Sequence, residues 1–141
     1  MKDFQELVKE DRIEKVNVDK AKAKGLLKRS KSRFENQKRR KINENTAFEI
    51  LENTYESIRE TLEAGMAAEG YKSNDHVSTI AYAQEKLNLE KTTINKLHRF
   101  RKLRNESRYE AKEIRIEEAE QIIEFTESLM PKVTQKVEDK L

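Results

Sequence analysis

The segment that decides the fold is TAFEILENTYESIRETLEAGMAAEG, residues 46–70. Its apolar side chains recur in alternating steps of three and four residues, which places them on one face of an α-helix. That face comprises Phe48, Leu51, Tyr55, Ile58, Leu62 and Gly65 or Met66. Thr46 and Glu49 have the spacing of a capping box at the start, and Gly70 is suited to end the helix in a left-handed conformation. We therefore predict one long amphipathic helix here.

The rest of the chain has the same kind of pattern. The sequence predicts a first bundle helix from about Lys20 to Lys38 and a third that begins near Asn74–Asp75. A fourth is predicted from about Lys91 to Ala111, and a fifth from about Ile116 to Met130. Three glycines and one proline leave few breaks between these good helix formers. We predict an all-α, up-and-down bundle of about five helices, with an N-terminal helical arm over residues 1–17, the bundle over 18–131, and a mobile tail over 132–141 that follows Pro131.

Composition restricts the class of protein. Hydrophobic residues make up 35% of the chain and charged residues 40%, so the apolar residues must lie in narrow stripes, as in helices with solvated outer faces. The sequence has no cysteine, which excludes disulfides and thiolate metal sites. No run approaches the roughly 18 apolar residues of a membrane span. We expect a cytoplasmic protein without a cofactor or a metal site.

Charge is distributed unevenly along the chain. Residues 20–41 carry eleven lysines and arginines against one acid, Glu35, whereas residues 110–127 are strongly acidic. Such asymmetry attracts an anionic partner such as RNA, aligns two copies of the chain, or simply forms a solvated face.

The predicted fourth helix breaks its own pattern. Its apolar stripe, Ile94 and Leu97, continues in steps of three and four into Arg101, Arg104 and Arg108. Asn105 and Lys112 lie close to these arginines by helical geometry, and Tyr109 flanks them. From spacing alone two interpretations remain open. The arginines form ion pairs with glutamates of the last helix, or they form a phosphate site, because arginine binds phosphate oxygens bidentately.

Several segments together resemble a known family. They are DKAKAKGLL (residues 19–27), YESIRE (55–60), EGYKS (69–73) followed by His76, and FRKLRNESRY (100–109). Their order is similar to that of archaeal HEPN-domain proteins, and the resemblance extends from about Val18 to Met130.

The resemblance implies a homodimer in which the arginine-bearing helices face each other across a cleft. Active members are metal-independent ribonucleases, and many are toxins paired with a nucleotidyltransferase antitoxin. Their motif is Arg, a polar residue that is often Asn, and then His after a few residues. Arg104 and Asn105 match its start, but Tyr109 occupies the first place at which the His could stand. These three are the candidate catalytic residues, with Arg101, Arg108, His98 and Lys112 as candidate RNA- or nucleotide-binding residues.

The missing histidine affects the expected mechanism. Cleaving RNA without a metal requires a base, an acid and positive charge on the phosphate. Histidine has a pKa of about 6.5, but tyrosine starts near about 10, which makes Tyr109 a poor base. We expect RNA or nucleotide binding with weak or absent ribonuclease activity. The alternative is a non-catalytic module that pairs with itself or with a nucleotidyltransferase, and a third possibility places the nucleic-acid surface on residues 20–41. We expect His76 to cap or pack its helix.

Overall fold

The computed structural model describes residues 2–141, except for the side chain of His76. Within this part of the chain, six helices form a bundle and two short strands pair beside it. The elements are α1 (Phe4–Lys9), β1 (Ile13–Lys15), α2 (Lys20–Arg39), α3 (Ala47–Glu69), β2 (Tyr71–Ser73), α4 (His76–Lys86), α5 (Lys91–Glu110) and α6 (Ile116–Glu138). The predicted helical bundle is confirmed, and its main helix starts lie within a residue or two of the expected positions. The pair of strands was not expected.

The central helix of the bundle is α3, which packs against α2, α4, α5 and α6. Fifteen of its 23 residues are buried, so the helix uses more than one face in the core. Gly70 ends it with a φ of +85°, and its N–H bonds to the carbonyls of Met66 and Ala67. A side chain at Gly70 would meet the carbonyl oxygen of Val16 at 2.7 Å, so only glycine fits this position.

Two details of the predicted start of α3 are wrong. Thr46 makes no capping hydrogen bond, because its hydroxyl donates to the carbonyl of Lys41 at 2.8 Å and accepts from the N–H of Asn43 at 3.0 Å. Phe48 is 44% exposed, and Ala47 and Ile50 occupy the buried positions of the first turn instead. The Thr46 hydroxyl is therefore bonded within the turn before the helix and is not available for a capping box.

The N-terminal arm packs into the bundle. Asp3 caps α1 by accepting from the N–H of Glu6, and Phe4 is buried with its ring 5.1 Å from that of Tyr71. β1 then pairs with β2 in antiparallel register, with Ile13 opposite Ser73. Residues 3–15 are therefore held against the segment that links α3 to α4.

The apolar surface of α5 changes sides along its length. Ile94 and Leu97 belong to the larger hydrophobic cluster, which also contains residues of α3 and α4. Phe100 and Leu103 belong to a second cluster with residues of α3 and α6. Phe100 and Leu103 bury the second half of α5, so the face that carries Ile94 and Leu97 does not need apolar residues there and has arginines instead.

The predicted end of the last helix near Met130 is wrong. Pro131 lies inside α6, which continues to Glu138. Val133 and Val137 are buried in the larger hydrophobic cluster, and Lys140 pairs with Glu69 at 3.2 Å. Burial of the two valines offsets the hydrogen bond that a proline inside a helix removes, so residues 132–138 are a packed part of the bundle rather than a free tail.

Among residues 2–141, no helix combines the length and apolar character that crossing a membrane requires.

Candidate functional site

The candidate site is built around Arg104, which α5 carries into the bundle. Arg104 is only 5% exposed, and its guanidinium carbon lies 5.2 Å from the centre of the Tyr55 ring. The Nε and Nη2 atoms are buried and have no hydrogen-bond partner among the described residues. No carboxylate of the described residues lies within ion-pairing distance of Arg104, so the glutamates of α6 do not neutralise it.

Tyr55 on α3 provides the surface on which Arg104 rests. Burial raises the pKa of Tyr55 to about 12, although the positive charges of Arg104 and Arg101 act in the opposite direction. The phenol is therefore neutral at ordinary pH and does not balance either charge. A guanidinium on the face of an aromatic ring gains about 0.5–2 kcal/mol, which only partly offsets the removal of its N–H groups from water.

Arg101 and His98 extend the same stripe toward the N-terminal half of α5. Arg101 has a buried Nε, and His98 a buried Nε2, and neither atom has a partner in the described part of the chain. Burial lowers the pKa of His98, and the nearby charge of Arg101 lowers it further. The imidazole is therefore neutral near pH 7. The side chain of His76, the other histidine, lies outside the described residues.

Arg108 and Lys112 occupy the outer end of the stripe, where both are exposed. The Nη1 atom of Arg108 lies 3.9 Å from Glu52, and the Ser107 hydroxyl donates to the same carboxylate at 2.8 Å. Lys112 pairs with Glu106 at 3.2 Å. Exposed ion pairs of this kind contribute little to stability, so both cations remain available to a competing anion.

Asn105 and Tyr109 complete the predicted motif, but the fold does not place all three motif residues close together within one chain. Asn105 is half-buried beside Arg104, whereas Tyr109 is 66% exposed. Tyr109 follows Arg104 by five residues, which turns it by about 140° around the helix axis. Within one chain the tyrosine therefore points away from the buried guanidinium.

Sequence reasoning missed the residues of α3 that face this site. The helical pattern predicts Tyr55 only as a core residue, and it predicts no role for Glu52. Arg59 is the informative contrast, because it lies on α3 and bonds to Glu56 at 3.1 Å and also to Glu63. Its partners lie three residues before it and four residues after it, so these ion pairs can be predicted from the sequence.

The site is closed in a single chain. Three large grooves lie on the described surface, each of about 570 to 600 Å³, between α5 and α6, between α2 and α3, and between α2 and α6. Arg104 lines none of the three. An anion would therefore reach it through a small movement of α5 or at a junction between two copies.

In comparisons with known proteins, no protein-family model matches this chain, and no curated protein matches it either.

Proposed function

We propose that the chain is a HEPN-type RNA- or nucleotide-binding homodimer with its anion site at Arg104. One observation carries the proposal. Arg104 is a buried cation that has two adjacent nitrogens, Nε and Nη2, without a partner. The family resemblance of the FRKLRNESRY segment supports the same position.

The chemistry of the two nitrogens favours a phosphate as the ligand. Nε and Nη2 lie on one edge of the guanidinium plane, and their N–H groups are parallel, so one phosphate can accept from both. Each buried N–H without a partner destabilises the protein by about 1–3 kcal/mol. An anion that accepts from both Nε and Nη2 would remove this penalty for each of the two groups. Arg101, with its own unpartnered Nε, adds a second positive charge along the same stripe.

Catalysis is the weaker part of the proposal. A metal-independent ribonuclease of a toxin–antitoxin system needs proton-transfer groups beside the bound phosphate. Tyr109 faces away from Arg104 within one chain, and His98, though neutral, lies almost two turns before it on α5. We therefore expect binding with weak or no turnover, and a nucleotidyltransferase as the partner that the resemblance implies.

The test is RNA binding with matched variants. Purified protein is incubated with labelled tRNA and mRNA fragments at low salt, beside Arg104→Met and Arg59→Met. We expect the wild type and Arg59→Met to retain RNA, and Arg104→Met to lose at least tenfold in affinity. No retained complex for the wild type, or equal binding by Arg104→Met, would refute the proposal.

A second candidate function is the non-catalytic interaction module. The observation in its favour is the exposure of two aromatic side chains, Phe48 at 44% and Tyr109 at 66%. α3 and α5 are antiparallel, as the neighbours Tyr55–Arg104 and Glu52–Ser107 show, so Phe48 lies level with the C-terminal end of α5. Together the two rings would suit a protein partner, either a second copy or a nucleotidyltransferase.

The two functions give different results in one experiment. Light scattering on the wild type and on Phe48→Ser with Tyr109→Ser measures the mass in solution. An assembly that falls apart in the double variant, together with no affinity for RNA in the wild type, would favour the interaction module. An assembly that binds RNA would favour the proposed function.

A further inference from the structure

Several exposed cations of α2 have no carboxylate side chain within 4 Å among the described residues, among them Lys24, Lys28, Arg29 and Lys31. All four are exposed. The following cations of the same helix are paired, including Arg33 with Glu60 at 2.8 Å and Lys38 with Glu127 at 3.0 Å. The positive charge of residues 20–41 is thus neutralised toward the end of α2 but not in its first half.

Lys28 and Arg29 line the α2–α3 groove, which has a volume of about 600 Å³, whereas Lys24 and Lys31 lie outside it, one turn before and one turn after Lys28 on α2. Its lining includes Gly25, Lys28, Arg29, Ser32, Asn36 and Asn53. No carboxylate lines it, whereas Glu90 and Glu124 line the α5–α6 groove and three glutamates line the α2–α6 groove. The groove therefore combines cations with neutral hydroxyl and amide groups.

Gly25 shapes the middle of this surface. Nothing lies within 4 Å of the position that its Cβ would occupy, so α2 presents backbone rather than a side chain to the groove here. Gly25, Ser32 and Asn36 recur in steps of seven and four along the helix, which aligns them in one row. Lys24, Lys28 and Lys31 form the neighbouring row, about 10 Å long at 1.5 Å per residue.

The α2–α3 groove and the Arg104 site flank α3 on different sides, because Asn53 lines the groove and Tyr55, about 200° further around the helix, contacts Arg104. Burial raises the pKa of Glu56, but the hydrogen bond to Arg59 and the positive charges of nearby arginines together outweigh burial and leave that pKa lowered. Since α3 lies between the groove and the site, about one helix diameter, on the order of 10 Å, separates them.

We infer that the α2–α3 groove binds the sugar–phosphate backbone of a single-stranded RNA whose neighbouring nucleotides reach Arg104. The identity of the ligand rests on the proposed function. Lys28 would contact a phosphate in the groove and Lys24 and Lys31 the neighbouring phosphates along α2. Ser32, Asn36 and Asn53 would bond to sugars and base edges. One row of cations along an open groove suits a single strand, because a duplex presents phosphates from two strands.

The test is the salt dependence of RNA affinity. Each phosphate contact on a single strand contributes about 0.7 to the slope of log K against log salt. The triple variant Lys24→Gln, Lys28→Gln, Lys31→Gln should therefore lower the magnitude of this slope by about 2. When salt rises from roughly 50 to 200 mM, the wild type should then lose about 20-fold more RNA affinity than the variant. The matched control is Lys96→Gln, Lys132→Gln, Lys136→Gln, which removes the same charge from the α5–α6 groove and should leave the slope unchanged.

A length comparison separates this inference from the proposed function. We expect the triple α2 variant to weaken binding of a 15-nucleotide RNA and not of a mononucleotide, whereas Arg104→Met should weaken both. If the mononucleotide does not bind the wild type but the 15-mer still shows the difference in slope, the proposed site at Arg104 is wrong and the α2 contact stands. Equal slopes for the variant and the control, or equally good competition by polyglutamate, would overturn the inference.

Discussion

Replacing Arg104 by methionine should stabilise the free protein. The change removes two buried N–H groups that have no partner, each worth about 1–3 kcal/mol, and it loses a cation–π contact with Tyr55 worth about 0.5–2 kcal/mol. Methionine has a similar length, and its sulfur packs well against an aromatic ring. We expect a net gain of about 2 kcal/mol in the free energy of unfolding, or roughly 6 °C in Tm for a chain of this size.

Arg59→Met is the matched control, because it removes an arginine that does have partners. It leaves Glu56 and Glu63 without their hydrogen bonds, and it should lower the free energy of unfolding by about 2 kcal/mol. Urea unfolding followed by circular dichroism measures both variants. If Arg104→Met loses as much stability as Arg59→Met, the guanidinium of Arg104 is already satisfied and the reasoning about the site is wrong.

An added anion should reverse the order of stability. Wild-type protein that binds phosphate or a nucleotide gains about 2.7 kcal/mol when the ligand is at about 100 times its Kd. Arg104→Met should gain almost nothing, so its advantage disappears as the ligand concentration rises. Thermal melts across a phosphate series test this directly, with sodium chloride at matched ionic strength as the control for general screening. Parallel gains in the two proteins would show that the anion binds elsewhere.

Three further predictions concern stability. Burial raises the pKa of Tyr55 to about 12 from about 10 in the unfolded chain, so its contribution to stability is complete below about pH 10 and is lost as pH rises through about 12, a loss of roughly 3 kcal/mol. Tyr55→Phe should therefore lose less stability across this window in urea titrations at each pH. Deleting residues 132–141 removes two buried valines and should lower the free energy of unfolding by about 3 kcal/mol or more, whereas an unchanged midpoint would mean that this segment does not pack. Gly25→Ala should raise the Tm, with a gain of up to about 1 kcal/mol, because its Cβ meets nothing, but Gly65→Ala should lower it, because its Cβ would lie 2.8 Å from the Tyr82 hydroxyl.

The fold was predictable where a local pattern and the tertiary structure agree. The start of α4 at Asp75 and the end of α3 at Gly70 depend on local hydrogen bonds and backbone conformation, so the sequence predicts them well. The predicted capping box at Thr46 and the predicted helix end before Pro131 are wrong, because contacts outside the local pattern decide both. Thr46 uses its hydroxyl in the preceding turn, and Pro131 is held in α6 by buried valines further along the chain. Neither contact is visible in a local pattern.

The candidate site was predictable only in part. The run of arginines after Ile94 and Leu97 indicated an unusual helix face, and Arg104 does lie at its buried centre. The contact with Tyr55 could not be predicted, because it depends on how α3 and α5 lie against each other. The exposure of Tyr109 follows from the end of α5, where the helix extends past the packed part of the bundle.

A comparison of the partly buried Arg59 with the buried Arg104 shows which partners the sequence around Arg104 lacks. Around Arg59 the chain places Glu56 one turn before and Glu63 one turn after, and both bind the guanidinium. Around Arg104 the corresponding positions, three and four residues away on either side, are Phe100, Arg101, Ser107 and Arg108, none of which can accept its charge. An apolar residue at 104 would simply continue the buried stripe and would pack at lower cost. A residue that lowers the stability of the free chain in this way is expected at a functional site, where a ligand or a partner supplies the missing anion.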